Sequence, residues 1–241
     1  MKTLHFPIMS LVAIGSMASF SSCDEHEPFD NSIHVGHVLL ADHRTMSMEE
    51  YETQSGVKAV GVVFAAQSGN HPTLAVLLDQ PSPDCFAEQL GIAQGTSCSL
   101  EAHDGFTNTV SLQAGTYSET ESRWNAEDSA MVQYTNVRDL SPLGQRALRS
   151  HEFGQSDYIP NVAEMRLLVA SLPTINPIIE RLGGTPISTM PDGGQCWFWT
   201  STEVKENPEN MAWLMSAVNG GIQQTPKDES HPFRLVVALN Y

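Results

Sequence analysis

The segment IPNVAEMRLLVASLPTINPIIERLGGT, Ile159 to Thr185, decides the fold class. Asn161 followed three residues later by Glu164 is a capping-box start, in which each end of the box answers a backbone N–H that the first helical turn leaves free. Behind it, Met165, Leu167, Leu168 and Leu172 form an apolar helical stripe. Pro173 predicts a stop, because it has no N–H to continue the ladder. Asn176-Pro177 predicts a second short helix carrying Ile178, Ile179 and Leu182, and Gly183-Gly184 ends it.

On either side of this helical centre the pattern is strand-like. His34–Leu40 predicts a strand. Ala59–Ala65 (AVGVVFA) and Thr73–Leu78 (TLAVLL) predict a hairpin around Ser68-Gly69-Asn70-His71-Pro72, in a central or half-buried position. Ser82-Pro83 and Ser141-Pro142 each set a capping hydroxyl before a proline, which predicts two helix starts. Residues 100–135 are polar and poorly periodic, with Trp124 and Tyr134 as their apolar anchors. The chain then returns to strands at Cys196–Ser201, Ala212–Val218 and Phe233–Leu239. Strands, then helices, then strands without β-α-β alternation give the α+β class. There is no internal repeat and no low-complexity tract.

The N-terminus reads as a targeting segment. Lys2 supplies a positive end, Leu4 to Phe20 is largely apolar, and Ser21-Ser22 are small residues before Cys23. Phe20-Ser21-Ser22-Cys23 resembles the lipobox of bacterial lipoproteins, with Phe20 where Leu is usual. The resemblance implies a signal over residues 1–22, cleavage before Cys23 and lipidation of that cysteine. Each buried lipid CH₂ is worth roughly 0.8 kcal/mol, so several acyl chains hold a protein firmly to a membrane. Residues 23–32, opening Asp24-Glu25-His26-Glu27-Pro28, form an acidic tether to a globular region at 33–241. That acidic run resembles the surface-export signals of lipoproteins in some anaerobic Gram-negative bacteria, which implies an outer-membrane lipoprotein displayed at the cell surface.

The formal net charge of −16 repels nucleic acid and anionic membrane surfaces, and no basic patch reverses it. Nucleic acid is therefore not an expected partner. After Cys23 there remain Cys85, Cys98 and Cys196, enough for one disulfide, either Cys85–Cys98 or Cys98–Cys196, with the leftover a buried thiol.

From residue 159 onward the chain resembles a C-type-lectin-like domain family of secreted bacterial proteins, of uncharacterised function. The matching elements are Ile159–Leu168, with Pro160 and Glu164; Leu182-Gly183-Gly184-Thr185; Phe198-Trp199-Thr200-Ser201-Thr202-Glu203, against a WSSTE-type signature; Met211-Ala212-Trp213; and Phe233-Arg234-Leu235-Val236-Val237. Gly36–Asp42 and Gly61–Phe64 match its opening strands more weakly. The resemblance implies a C-type-lectin-like fold of short helices packed on small antiparallel sheets. Most of these residues read as structural. Trp199 and Trp213 are large anchors, the hydroxyls of Thr200, Ser201 and Thr202 satisfy nearby backbone, and Glu203 accepts backbone N–H groups or pairs with Arg234.

Catalytic chemistry finds little purchase. G-x-S-x-G, H-E-x-x-H and phosphate-loop motifs are absent. On a strand His34 and His37 point to opposite faces, which argues against a metal cluster with His43. Calcium is the natural ion for a C-type lectin, and Glu206, Asn207, Glu209 and Asn210 have the right oxygen chemistry for it. They loosely resemble a lectin's sugar-binding segment, and a solvated loop is the plainer reading. Cys196 has no partner for the oxidase chemistry of formylglycine-generating relatives. No cofactor is otherwise expected. The expected function is non-catalytic recognition or adhesion toward a glycan or a protein, through the loops Ser188–Gly194, Val204–Met211 and Asn219–Pro232. A structural subunit of a fimbria-like assembly and a surface glycan hydrolase are the alternatives.

Overall fold

A computed structural model describes residues 32–114, 116–117, 120–125, 129–135, 138–139, 141–149, 157–191 and 195–239. One compact unit runs from Ile33 to Tyr241. The expected signal, Cys23 and the acidic residues after it lie outside the described residues. In chain order the elements are β1 (Val38–Leu40), β2 (Thr45–Met46), α1 (Met48–Thr53), β3 (Ala59–Ala65), β4 (Thr73–Leu77) and β5 (Asp84–Cys85). Next come α2 (Gly105–Ala114), β6 (Thr116–Tyr117), β7 (Thr120–Asn125), β8 (Ala130–Thr135), β9 (Arg138–Asp139), α3 (Pro142–Arg149) and β10 (Asp157–Tyr158). Last are α4 (Val162–Arg181), β11 (Trp197–Glu203), β12 (Met211–Ser216), β13 (Ile222–Pro226), β14 (Ser230–His231) and β15 (Val236–Leu239).

The class is α+β. A six-stranded antiparallel sheet, in the order β10-β15-β4-β3-β1-β2, forms the middle of the unit. Apolar residues from both its faces are buried, which is why AVGVVFA reads as a nearly unbroken apolar run. On one face Val62, Phe64, Val76 and Val236 meet Leu168, Leu172, Ile175 and Ile179 of α4. On the other, Val63, Ala75, Leu77 and Val237 meet Leu112 of α2, Leu143 and Ala147 of α3, and Trp199 and Leu214 of the three-stranded sheet β11-β12-β13.

The capping box at Asn161 and Glu164 is formed as expected, with Asn161 Oδ1 accepting from Glu164 N at 2.9 Å. The hairpin of β3 and β4 is also where the sequence puts it. The expected stop at Pro173 is not: α4 continues through both Pro173 and Pro177 to Arg181. The two prolines are four residues apart and both exposed, so the carbonyls they leave unbonded lie on the solvent side while Leu172, Ile175 and Ile179 hold the inner stripe. The helix ends at Gly183 and Gly184. Gly183 has φ +78°, its N–H donates to Glu180 O, and that of Gly184 donates to Ile179 O, a Schellman closure. By length and hydropathy α4 could cross a membrane, but here half of it is buried as the core helix.

Other expectations are corrected by tertiary pairing. Ser82-Pro83 opens no helix, because Asp84 and Cys85 pair instead with His231 and Ser230. The strand expected over His34–Leu40 begins only at Val38, after a turn at Gly36 (φ +95°). The polar stretch 100–135 contains α2, whose buried stripe is Gly105, Asn108, Thr109 and Leu112, so apolar periodicity gives no sign of it. Part of the expected loop Asn219–Pro232 is the strand β13, half-exposed at the edge of its sheet. Cys85, Cys98 and Cys196 are all free thiols.

Where α2 crosses α3, a Cβ on Gly144 would lie 2.6 Å from the carbonyl carbon of Leu112 and 2.8 Å from its oxygen. In an open helix, Gly→Ala stabilises by about 1 kcal/mol. Gly144→Ala is expected to do the opposite and destabilise by about 2 kcal/mol, since backbone cannot yield as a side chain can. Urea unfolding, with the denaturant slope unchanged, measures the sign.

Candidate functional site

β11 ends in a buried carboxylate, and the loops around it are built on that group. Glu203 is 1% exposed. Its oxygens accept from Gln94 N (2.6 Å), Thr96 N (3.0 Å) and Thr96 Oγ1 (3.0 Å), and Glu203 N donates to Thr96 Oγ1 at 3.1 Å. The charge is answered by Lys227, fully buried, whose Nζ donates to Glu203 Oε1 and, at 3.1 Å, to Ile92 O. The ammonium also lies 5.4 Å from the centroid of the Phe86 ring. Arg234 is therefore not the partner of Glu203.

The same cluster braces the loop Val204–Met211. Lys227 N donates to Asn210 O at 3.0 Å, and Gly91 N donates to both Asn210 Oδ1 (3.0 Å) and Glu209 O (3.1 Å). Asn210 Nδ2 donates to Asn207 Oδ1 at 2.7 Å. Of the four candidate ligand residues, Asn207 thus spends its amide oxygen within the loop and Asn210 spends its own on Gly91, while Glu206 and Glu209 present exposed carboxylates. Among the described residues, no group of three or more His, Cys, Asp or Glu is placed to hold a metal ion. His34 and His37 do meet, ring centroids 5.3 Å apart, because the turn at Gly36 folds them together. Leu90, on the segment that Gly91 pins, is 44% exposed. Segments 88–93 and 204–211 are therefore pinned together, and they expose Leu90, the acids Glu88, Glu206 and Glu209, and Lys205. Of the other candidate loops, residues 192–194 lie outside the described residues.

The remaining signature residues sit inside the scaffold. Trp199 is buried against Phe86 and His231 and donates from Nε1 to Asp84 O at 3.1 Å. Trp213 is partly buried. Thr200 Oγ1 donates to Trp213 O, Ser201 N to Pro160 O, and Thr202 Oγ1 accepts from Val162 N, so β11 is tied to the start of α4. Arg234 is fully buried and clamps Leu77 O (2.6 Å) and Thr185 O (2.7 Å), and burial brings its guanidinium down to about 10, still cationic at neutral pH. Lys227 was missed by sequence reading: a single Lys in the polar run Gln223–His231 carries no sign of burial.

Glu164 is buried too. Burial pushes its carboxyl up to about 7, the Asp104 charge adds to this, and the N–H groups of Asn161 and Gly105 and the Tyr158 hydroxyl only partly oppose it. Burial, then the Glu164 charge, pushes the Tyr158 hydroxyl well above its ordinary value. Burial also raises the Cys85 and Cys98 thiols, helped by Asp84 and Glu203 respectively, which disfavours a reactive thiolate at either.

No protein-family model matches the chain, and no curated protein sequence matches it.

Two outcomes test this geometry. Lys227→Met leaves the Glu203 carboxylate buried without its cation and is expected to cost about 3–5 kcal/mol, most of it recovered when Glu203→Gln is added. A double-mutant cycle by urea unfolding reads this. For Glu164 the folded state holds the proton more tightly than the unfolded chain does. Its stabilising contribution is complete below about pH 4.5 and lost as pH rises through about 7, amounting to about 3 kcal/mol. Glu164→Gln keeps the capping geometry and is expected to flatten that part of the stability–pH curve.

Proposed function

We propose that this chain is a lipid-anchored outer-membrane lipoprotein, displayed at the cell surface, whose globular unit has a C-type-lectin-like fold. Its job is non-catalytic recognition or adhesion toward a glycan or a protein. The observation that carries this reading is the Glu203–Lys227 pair: two fully buried charges whose remaining hydrogen bonds go to loop backbone at Ile92, Gln94 and Thr96. Chemistry of this kind is spent on holding loops still. A pre-ordered loop face loses less conformational entropy on binding, which is what recognition requires. Function then belongs to the loops that the scaffold carries rather than to the signature residues beneath them.

Binding of the purified full chain to a glycan and extracellular-matrix array tests the reading. Binding is expected, and Glu206→Lys with Glu209→Lys is expected to reduce it without lowering stability. Silence across the array, with polymers visible by microscopy, overturns it in favour of an assembly subunit. For the anchor, Cys23→Ser is expected to release the protein from the membrane fraction.

A further inference from the structure

Away from the pinned face, a cleft of about 380 Å³ opens between α1 and the C-terminal end of α4. Tyr51, Val57 and Leu182 line it, together with Lys58 and Asp79. The volume suits a ligand of dipeptide or disaccharide size.

The cleft is fixed from every side. The Schellman closure sets Gly183 and Gly184, and Thr185 N donates to Leu78 O at 2.9 Å. Gly184 packs so closely that a Cβ there would lie 2.9 Å from both Cβ and O of Leu78. Arg234 holds the two sides together from below through Leu77 O and Thr185 O. On the far wall, α1 is closed by its own capping box, Ser47 with Glu50, and Glu52 pairs with Arg181 of α4. A site held this way is largely pre-formed.

The charges of Lys58 and Asp79 are what remain. Both residues are exposed, at the approaches to β3 and β4. Neither side chain makes an ion pair or hydrogen bond with any described residue, so they stand beyond ion-pair distance of one another. The nearby charges are otherwise committed: Glu52 to Arg181, and the buried Arg234 to backbone carbonyls, with a favourable field on Asp79. One cation and one anion border a mainly polar cleft that Val57, Leu182 and Tyr51 also line, and complement a molecule with the mirror arrangement. The chain's charge of −16 disfavours net anions. A net-neutral ligand escapes that repulsion.

We infer that this cleft binds a short zwitterionic peptide of about dipeptide length, its ammonium on Asp79, its carboxylate on Lys58 and its apolar side chains against Tyr51, Val57 and Leu182. This goes beyond the recognition reading and uses different residues, so either can fail alone.

Titration calorimetry of the full chain in mild detergent, with leucyl-leucine as the probe, tests it. Binding is expected, and N-acetylation or C-amidation of the dipeptide is each expected to weaken it about tenfold or more, since each removes a charge-assisted contact. Asp79→Asn should abolish the penalty of acetylation and Lys58→Gln that of amidation. Both side chains are exposed, and urea unfolding of each variant checks that folding is kept, above all for Asp79→Asn, whose charge faces the buried Arg234. Absence of heat with leucyl-leucine, or equal binding of free and blocked dipeptides, overturns the inference. So does binding of neutral disaccharides that Tyr51→Ala abolishes while dipeptides remain silent. Loss of array binding on altering Glu206 and Glu209, with dipeptide binding intact, separates the two sites.

Discussion

Everything at the C-terminal end of β11 depends on one constraint: a carboxylate taken out of water must have its charge and its lone pairs answered. Glu203 meets the first demand with Lys227 and the second with the backbone of Gln94 and Thr96. Because Lys227 comes from just beyond β13 and Gln94 from a segment over a hundred residues earlier, the requirement joins three distant parts of the chain at one point. A buried ion pair is poor evidence of stability, since an apolar pair of like volume often holds a core as well or better. An apolar pair, however, could not accept from two buried N–H groups. The acceptor oxygens are needed for the loops, not for the core.

Arg234 and Glu164 repeat the arrangement. Arg234 holds the ends of β4 and the segment after α4 by their carbonyls, and Glu164 holds the start of α4 against Gly105 and Tyr158. In each case a buried charge spends its hydrogen bonds where the chain leaves regular structure, because there the sheet and helix ladders stop supplying partners. The carboxyl of Glu164 is pushed up to about 7, because burial is not answered there by a cation. It has only dipoles around it and another acid, Asp104, nearby.

The sequence made the parts that rest on local chemistry legible. The capping box at Asn161, the glycine closure at Gly183-Gly184, the cap at Ser141 before α3 and the β3–β4 hairpin are each written within a few residues. What escaped reading was decided at long range. Pro173 and Pro177 fall in a helix because both face solvent, which their spacing permits but only the packing of Ile175 and Ile179 selects. Ser82-Pro83 loses its helix to pairing with Ser230 and His231. Helix α2 hides because Asn108 and Thr109 occupy its buried stripe, satisfied by Ser97 N and Ile159 N, so the usual apolar signal is replaced by hydrogen bonds between distant segments. At the candidate site Glu203 and Arg234 could be named from the sequence, but not their partners, since nothing local distinguishes Lys227 from a solvated lysine.

That asymmetry bears on where function can lie. Trp199, Thr202, Glu203 and Arg234 answer packing and hydrogen-bond demands out of reach of solvent. A ligand cannot touch a carboxylate that already accepts from Gln94, Thr96 and Lys227. What it can touch is the outer side of the segments those contacts immobilise, where Leu90, Glu206 and Glu209 are exposed and free to vary without disturbing the bonds beneath. The buried charges fix the position of that surface and leave its chemistry open.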